Sequence, residues 1–392
     1  MNIATYLRLS IGVSEEAKMA RMSGESGESG ESGESGESGE SGEAGRSGSF
    51  TAARALVSSR EGVVGMWQAL TATPVNYKAE PAALDRWSTP VRLRTLTAEL
   101  LSGIYYDGAK ESVSVEYRDR TAVHPHTLIH MIRPTEADFV NQLVYVNNYA
   151  ALRMERSGEI MTEATDILSF LGSIGFLHPD RTRRTFELLT LVLRAIGPIE
   201  MRVKHALACR RPVEYSPQIQ PMIPTPGHGS LPSGHATESF AAAFVFYALI
   251  TKVKTGRFEV NPADQTFIQL MRIAERIAIN RTVAGVHFPV DSVAGMTLGL
   301  TIAEFFIARF CGGGRLRTRT FDGRGFEGDF RYDDIIPIFV EKRRDTGRRN
   351  EGGRNVVEDA GSRAQQSPEL NYLWSQAITE CELMIGSVET TR

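Results

Sequence analysis

Apolar residues recur at helical spacing through most of the chain between residues 135 and 310. The run from Phe240 to Leu249 has the 3,4-type spacing of a buried helix, and Thr135 with Asp138 has the spacing of a helix N-terminal cap. Strand signals are few and short. The pattern therefore predicts an all-α helical bundle, with helices at about 160–173, 181–196, 199–210, 234–252, 264–280 and 289–310 after one that begins near Thr135.

The chain outside this bundle has a different composition. Residues 23–43 are seven successive Ser-Gly-Glu triplets with uniform negative charge and almost no apolar surface, so this segment is predicted to be disordered. The predicted organisation is a disordered N-terminal segment over 1–49, covering helices or loops over 50–130, the bundle with the candidate site over 131–314 and a C-terminal extension over 315–392. The extension ends in a helix whose apolar face is predicted to dock on the bundle: Leu370, Leu373, Trp374, Ala377, Cys381 and Met384.

The most apolar stretches of the chain are short. Ser239–Thr251, Ser292–Ala303 and Ile167–Leu177 contain 13, 12 and 11 residues, and each is bounded by charged residues or a histidine. A helix that spans a bilayer needs about 20 apolar residues. These stretches are therefore interpreted as core helices of a water-soluble protein with no transmembrane span.

Charge and cysteine content exclude some classes of protein. The chain has 44 basic and 47 acidic residues, a net charge of −3, which argues against a general nucleic-acid-binding surface. Its three cysteines are scattered and odd in number, which fits neither a disulfide framework nor a zinc site. Residues 1–21 have no apolar core of the signal-peptide type, so the expected location is cytoplasmic, and a misassigned start codon would leave a periplasmic or secreted location open. The sequence does not specify an oligomeric state.

Three ordered clusters of residues describe a pocket for one tetrahedral oxyanion. The intervals are KxxxxxxRP at 204–212, then 19 residues, PSGH at 232–235, then 45 residues, and RxxxxxHxxxD at 281–291. No cluster is specific alone, but their order, spacing and chemistry agree. The expected partner is a small phosphorylated substrate or an analogue of it. The ten residues are Lys204, Arg211, Pro212, Pro232, Ser233, Gly234, His235, Arg281, His287 and Asp291.

The first two clusters supply the cations and N–H donors that a bound phosphate needs. Lys204 and Arg211 are seven residues apart and are predicted to project from one face of a helix that Pro212 ends. Ser233 and Gly234 stand where the next helix begins, and free N–H groups at a helix start bind anions.

The third cluster adds an imidazole and a carboxylate. Pro289 suits the first turn of a helix, which leaves His287 at its mouth and Asp291 in the following turn. The carboxylate is then able to accept a hydrogen bond from one imidazole nitrogen and to fix the tautomer, which exposes the other nitrogen as a nucleophile or ligand. Arg281, six residues before His287, adds a third cation.

These clusters match the signature shared by the type-2 phosphatidic-acid phosphatases, the bacterial class A acid phosphatases and the vanadium-dependent haloperoxidases. The chain resembles this superfamily over about residues 200–305, and one departure is Asn280, where many members have serine. The resemblance implies a helical bundle with the anion site at the ends of its central helices.

Carried over position by position, the resemblance implies a soluble, metal-independent phosphoester hydrolase of the acid-phosphatase type, a phosphoric monoester hydrolase that needs no cofactor. His287, oriented by Asp291, would attack phosphorus and form a phosphohistidine, and His235 would protonate the leaving alcohol and then activate water. The implied anion-binding residues are Lys204, Arg211, Ser233, Gly234 and Arg281.

The haloperoxidase relatives imply an alternative, in which vanadate is the cofactor, bonded to His287, and hydrogen peroxide oxidises a halide. His228 is similar in position to an extra histidine beside the halide site of bromoperoxidases, which makes it the halide-site candidate; the opposing interpretation is a polar loop residue. Hydrolysis is placed ahead because phosphatases are the broader part of the superfamily. A third interpretation is a non-catalytic oxyanion-binding protein, which would have no need of both His235 and His287.

Overall fold

The computed structural model describes residues 50–64, 78–120, 122–312, 315–335 and 356–389, so the segment predicted to be disordered lies outside the described residues. The described residues divide into two compact units, a smaller one that contains helix α1 (Phe50–Val64) and a larger one that contains the described residues from Glu80 onward. The helices described in the larger unit are α2 (Thr89–Leu101), α3 (Glu136–Tyr149), α4 (Arg153–Glu163), α5 (Leu168–Leu171), α6 (Arg183–Leu207), α7 (Pro212–Tyr215), α8 (Gly234–Thr255), α9 (Gln265–Val283), α10 (Pro289–Cys311) and α11 (Pro368–Glu389), with 3-10 turns at Pro81–Arg86, Ala150–Leu152, Pro217–Ile219 and Tyr332–Asp334.

The larger unit also contains a five-stranded mixed sheet, so the prediction of an all-α fold is wrong. Its strands are β1 (Ile104–Gly108), β2 (Ser112–Tyr117), β3 (His126–Ile132), β4 (Arg315–Asp322) and β5 (Val356–Arg363), in that order across the sheet. Neighbouring strands are antiparallel except β3 and β4, which are parallel with Ile129 opposite Arg319. The fold is therefore helix-rich but mixed.

The strands follow an alternating pattern that is too short and too polar to stand out in the sequence. In β2, Val113, Val115 and Tyr117 are buried and the residues between them are partly exposed, as in a half-buried strand. The Tyr117 ring lies 4.8 Å from that of Phe305 on α10, so the sheet packs on the central helices. Strand β4 is rich in arginine and threonine, and its partner β3 is far away in sequence, so local patterns did not reveal the pairing.

Helices α8 and α10 form the centre of the larger unit, where α8 packs on α6, α9 and α10. Among the described residues, these two helices are long and apolar enough to cross a bilayer, with mean hydropathies of 1.3 and 1.5. Their most apolar windows are 83% and 94% buried inside the fold, and core helices of water-soluble proteins satisfy the same criterion. The apolar stretches of the sequence are shorter than these helices, which contain 22 and 23 residues. The absence of a transmembrane span stays a prediction.

Helix α6 differs from its prediction, whereas the cap of α3 and the docking of α11 agree with theirs. Helix α6 is one continuous helix with Pro198 inside it, where two helices were predicted. The cap of α3 is confirmed, since Thr135 Oγ1 accepts from the Asp138 N–H and the Asp138 carboxylate accepts from the Thr135 N–H at 2.8 Å. Helix α11 docks on α6, α8 and α10 as predicted, and its buried Trp374 stacks on Phe310 with ring centroids 5.7 Å apart.

Two glycines allow α10 to approach α8 closely. Gly295 and Gly299 lie one turn apart on α10 and face the beginning of α8. A Cβ on Gly295 would lie 2.6 Å from the backbone oxygen of Ser233, and one on Gly299 would collide with the backbone oxygen of Thr237. This approach brings the two helix N-termini together, and the Ser233 N–H donates to the Asp291 oxygen at 2.9 Å.

We expect Gly299→Ala to destabilise the fold by about 1–3 kcal/mol, because the new methyl group would meet main chain that cannot rotate away. Gly158→Ala is the matched control. Gly158 is exposed on α4 with nothing within 4 Å of its Cβ position, so the same change should stabilise the protein by about 0.5–1 kcal/mol. Urea unfolding of both variants measures the difference, and equal stabilities would contradict the tight crossing at Gly299.

Candidate active site

The three sequence clusters meet where α6 and α9 end and where α8 and α10 begin. Each predicted site residue within the clusters is buried. His287 contacts both Arg211 and Asp291, and Arg281 and His235 both contact Glu163. Segments that are far apart in sequence therefore place their chemistry in one interior region. The buried residues are Lys204, Arg211, Ser233, Gly234, His235, Arg281, His287 and Asp291.

Lys204 lies in the last turn of α6 and points at the loop that leads into α8. Its ammonium donates to the Pro232 oxygen at 2.6 Å, and the oxygens of Gly229 and Ser230 lie at 3.4 Å. These backbone oxygens stabilise the buried charge.

Arg211 is not on the same helix as Lys204, which corrects the prediction that both project from one helical face. Helix α6 ends at Leu207, and Arg211 comes directly before the short helix α7. Its guanidinium donates to the His228 oxygen at 3.1 Å and to the Val286 oxygen at 3.0 Å, and it contacts His287 Nε2 at 3.1 Å. The planar fork thus ties the loop before α8 to the loop before α10.

His287 is held in one tautomer. Arg211 can only donate, so His287 Nε2 accepts from it and carries a lone pair. The proton then lies on Nδ1, which is 3.1 Å from Asp291 Oδ2. The same carboxylate oxygen also accepts from the Ser230 hydroxyl and from the Phe288 N–H at 2.9 Å. The Nε2 lone pair is engaged by Arg211 here, and an oxyanion that accepts from Arg211 instead would leave Nε2 as a nucleophile.

Ser233 and Gly234 begin α8 next to the end of α6. Ser233 is the N-cap residue, and its Oγ accepts from the Ala236 N–H at 3.5 Å. A Cβ on Gly234 would lie 2.8 Å from the carboxylate of Glu200, a buried residue one turn before Lys204. The positive end of the α8 dipole and its first N–H groups therefore begin close to the lysine.

Arg281 and His235 share one anchor, Glu163 at the end of α4. Arg281 Nη2 donates to the Glu163 carboxylate at 2.8 Å, whereas its Nε and Nη1 contact no acceptor in the described part of the chain. His235 Nε2 lies 3.2 Å from the Glu163 backbone oxygen, which can only accept, so this nitrogen carries the proton. His235 Nδ1 is buried and has no hydrogen-bond partner among the described residues. An oxyanion would supply acceptors for these Arg281 donors.

The charges of the site favour an anion and neutral imidazoles. Burial lowers the pKa of His287 well below its usual value, and Arg211 and Lys204 lower it further. Burial likewise lowers the pKa of His235, with Arg281 as the next cause, and raises the pKa of Asp291 to about 6. At neutral pH, both rings are therefore neutral beside three cations, and Asp291 is ionised.

His228 lies at the outer edge of the site, where it is half-buried. Its Nδ1 lies 3.2 Å from Arg211 Nη2 and 3.2 Å from the Gly229 oxygen. A cleft of about 480 Å³ opens here, lined by Arg211 and His228 together with Arg210, Glu214 and Thr225. The halide-site candidate is thus adjacent to one of the predicted anion-binding cations.

The sequence patterns did not predict three polar residues that lie next to the site. Ser230 shares the Asp291 carboxylate with His287, Glu200 fills the space beside Gly234, and Glu163 contacts Arg281 and His235. The sequence contains one weak signal, because Glu200 stands four residues before Lys204 and so shares its helical face. Glu163 belongs to no motif, and only its burial in the fold reveals it.

Comparison with known proteins places this site in a family. A model of the PAP2 superfamily matches residues 186–310, which contain every predicted site residue. Two curated relatives, the decaprenylphosphoryl-5-phosphoribose phosphatases of Mycobacterium tuberculosis strains CDC 1551 / Oshkosh and ATCC 25618 / H37Rv, are each 31% identical over 153 residues, 39% of this chain and 74% of the relative. The chain belongs to the PAP2 superfamily.

Membership of the PAP2 superfamily confirms the resemblance inferred from the three clusters, and together with the phosphatase relatives it supports phosphoester hydrolase activity. The PAP2 match begins near the start of α6 and ends near the end of α10. The strands, helix α4 with Glu163, and helix α11 lie outside it. Part of the surroundings of the site is thus supplied by chain beyond the matched segment.

We expect oxyanion binding at neutral pH to take up a proton. The pKa of His235 is lowered in the free site, so its ring is neutral there, and a bound dianion would favour the imidazolium. Calorimetric titration with inorganic phosphate in buffers of different ionisation enthalpy measures this uptake. His235→Asn is the control that separates it from the proton equilibrium of phosphate itself, and an uptake unchanged in this variant would contradict the assignment.

Asp291→Asn should lower the rate of hydrolysis by about 10²- to 10⁴-fold, since the amide no longer favours the Nδ1–H tautomer of His287. Asp138→Asn, a change at the capping carboxylate of α3, is the control and should leave kcat close to that of the unmodified protein. Steady-state kinetics of both variants test this expectation. A rate loss shared by both would assign the effect to general destabilisation.

Proposed function

We propose that this protein is a metal-independent phosphoester hydrolase that acts through a phosphohistidine at His287. The observation that carries the proposal is the orientation of His287: Arg211 holds its Nε2 as an acceptor while Nδ1 faces Asp291. A neutral imidazole with its lone pair beside three buried cations suits attack on a phosphorus whose oxygens those cations bind.

The reaction consists of two displacements at phosphorus. Lys204, Arg211 and Arg281 stabilise the phosphoryl oxygens, and Ser233 and the Gly234 amide donate hydrogen bonds to them. His287 Nε2 forms a bond to phosphorus as the bond to the leaving oxygen breaks, and the His235 imidazolium gives its Nδ1 proton to that oxygen. This list of anion-binding residues follows the family resemblance at each position.

The second displacement regenerates the protein. Neutral His235 Nδ1 removes a proton from water, the resulting hydroxide attacks phosphorus, and the bond between phosphorus and His287 breaks with release of inorganic phosphate. His287 returns to its neutral tautomer because Asp291 keeps the proton on Nδ1. The same histidine thus serves as acid in the first step and base in the second.

The substrate is proposed to be a phosphomonoester, with the relatives as a guide to a test panel. Their name gives decaprenylphosphoryl-5-phosphoribose as the compound on which they act. A panel that contains this lipid-linked compound, a free sugar phosphate and a simple alkyl phosphate distinguishes a lipid-linked substrate from a small water-soluble one.

The test is hydrolysis of this panel in the presence of a chelator. We expect turnover to persist, His287→Ala to lose several decades in rate, and His235→Ala to lose about 10²- to 10⁴-fold with an alkyl phosphate but less with 4-nitrophenyl phosphate, whose leaving group needs no proton. His205→Ala is the control, because His205 adjoins Lys204 in sequence but is exposed. Full activity of His287→Ala would end the proposal.

Vanadate-dependent halide oxidation is a second candidate, favoured by the contact between His228 and Arg211 beside the site. The residues that would hold phosphate also fit vanadate, with His287 Nε2 as the nitrogen that would bond it; bound vanadate would supply activation of peroxide. Bromination of a dye by protein incubated with orthovanadate, peroxide and bromide, and inhibited by phosphate, would favour this activity over hydrolysis. Oxyanion binding with neither reaction would favour a non-catalytic protein.

A further inference from the structure

We propose that Glu163 is a positioning residue for this hydrolysis: its backbone oxygen selects which nitrogen of His235 faces the substrate, and its carboxylate orients Arg281. The inference rests on the proposed function and deepens it. Glu163 belongs to none of the three clusters and lies outside the 186–310 segment that matches the family.

The backbone oxygen of Glu163 is available because of its place in α4. Glu163 is the last residue of this helix, and carbonyl groups in the last turn have no partner within the helix. His235 Nε2 lies 3.2 Å from this oxygen, and the Ile160 oxygen one turn earlier accepts from Arg281 Nη2 at 3.0 Å. The negative end of the α4 dipole is thus directed at one cation and at one imidazole that must become a cation.

This contact decides how His235 works. A carbonyl oxygen only accepts, so Nε2 keeps its proton in both charge states and the exchangeable proton belongs to Nδ1. Nδ1 is buried and contacts no donor or acceptor among the described residues. The nitrogen turned away from Glu163 is therefore the one that exchanges protons with substrate and water.

The carboxylate of Glu163 acts on Arg281. Glu163 and Arg281 are 1% and 0% exposed in their side chains, so the pair is fully desolvated and its geometry is strongly constrained. The bond of 2.8 Å uses Nη2, which leaves the Nε and Nη1 donors of Arg281 for another acceptor. A displaced guanidinium would present these donors at the wrong angle to a phosphoryl oxygen.

Asn280 braces the carboxylate from the other side and is itself held by Glu159 and Arg156. Asn280 Nδ2 donates to Glu163 at 2.7 Å and to Glu159 at 3.1 Å, while its Oδ1 accepts from Arg156 at 3.0 Å. Because Arg156 can only donate, the orientation of the Asn280 amide is fixed, and its Nδ2 is directed at the two glutamates. The position of Glu163 is therefore determined by α9 as well as by its own helix.

The titration of His235 reports on this arrangement, since several charges surround it. Removal of the negative charge of Glu163 should make the His235 imidazolium less stable, because the cations around it would remain. The buried charged and titratable groups at the site end of the elements around His235 and Gly234 are Glu163 of α4, Glu200 and Lys204 of α6, Arg211 before α7, Glu238 of α8, Arg281 of α9, His287 before α10 and Asp291 of α10.

The experiment compares Glu163→Gln with Glu187→Gln. Glu187 forms the other strongly buried Arg–Glu pair in the described residues, with Arg92, and its side chain is 3% exposed and away from the site. Both variants remove one buried charge, so both should lose stability. Only Glu163→Gln should move the alkaline limb of the kcat profile to lower pH, and its kcat with an alkyl phosphate should fall about 10-fold or more, a fraction of what loss of a general acid costs.

A second readout does not depend on turnover. ¹⁵N spectra of histidine-labelled protein, assigned with His235→Asn, should show the Nε2–H tautomer of His235 and a lower titration point in Glu163→Gln. Glu163→Asp keeps the charge and should restore part of the wild-type pH profile. The tautomer of His235 in the wild-type protein tests the assignment if the amide variant does not fold.

The outcomes separate two failures. Absence of turnover by the unmodified protein on the whole panel would remove the proposed function, while the spectra would still report the tautomer. An Nδ1–H tautomer, or pH profiles that coincide in wild type and Glu163→Gln while Glu187→Gln shows the same loss of stability, would overturn the positioning role.

Discussion

Repulsion between three buried cations is the constraint on which the site depends. Lys204, Arg211 and Arg281 remain together because fixed oxygens accept from each of them: backbone oxygens of two loops for the first two, and the Glu163 carboxylate for the third. Backbone dipoles stabilise a charge but leave it in place, and the Nε and Nη1 donors of Arg281 have no acceptor among the described residues, so an anion can satisfy them. Burial, and after it the charges of these cations, lowers the pKa of both imidazoles and keeps them neutral until an anion arrives.

The ends of five helices position the charged groups of the site. Helices α8 and α10 direct their N-termini toward the site, and α4, α6 and α9 bring their C-terminal turns to it. Positive and negative dipole ends therefore meet in one region, with cations near the C-terminal turns and N–H donors at the N-termini. The glycines at 295 and 299 make the arrangement compact, because any side chain there would separate α8 from α10.

The sequence was most informative where chemistry and local periodicity coincide. The three clusters, the helix that begins at Pro289 and the cap at Thr135 were predictable, because each depends on residues within a few positions of one another. The placement of Arg211 failed, since Ala208 adopts a left-handed conformation with φ of 48° and ends α6 without a proline or glycine signal. The sheet and the role of Glu163 depend on pairings between distant segments, which no local pattern encodes.

The parallel pairing of β3 with β4 has a consequence for dissecting the protein. The Thr318 hydroxyl donates to the Thr127 oxygen at 2.6 Å. Strands that precede and follow the family-matched segment therefore belong to one sheet, which packs on α10. A minimal fragment cut at the boundaries of residues 186–310 would lack all five described strands, the α4 terminus and the docked α11. It would expose a broad apolar flank of the central helices, and recombinant work is better served by retaining the surrounding chain.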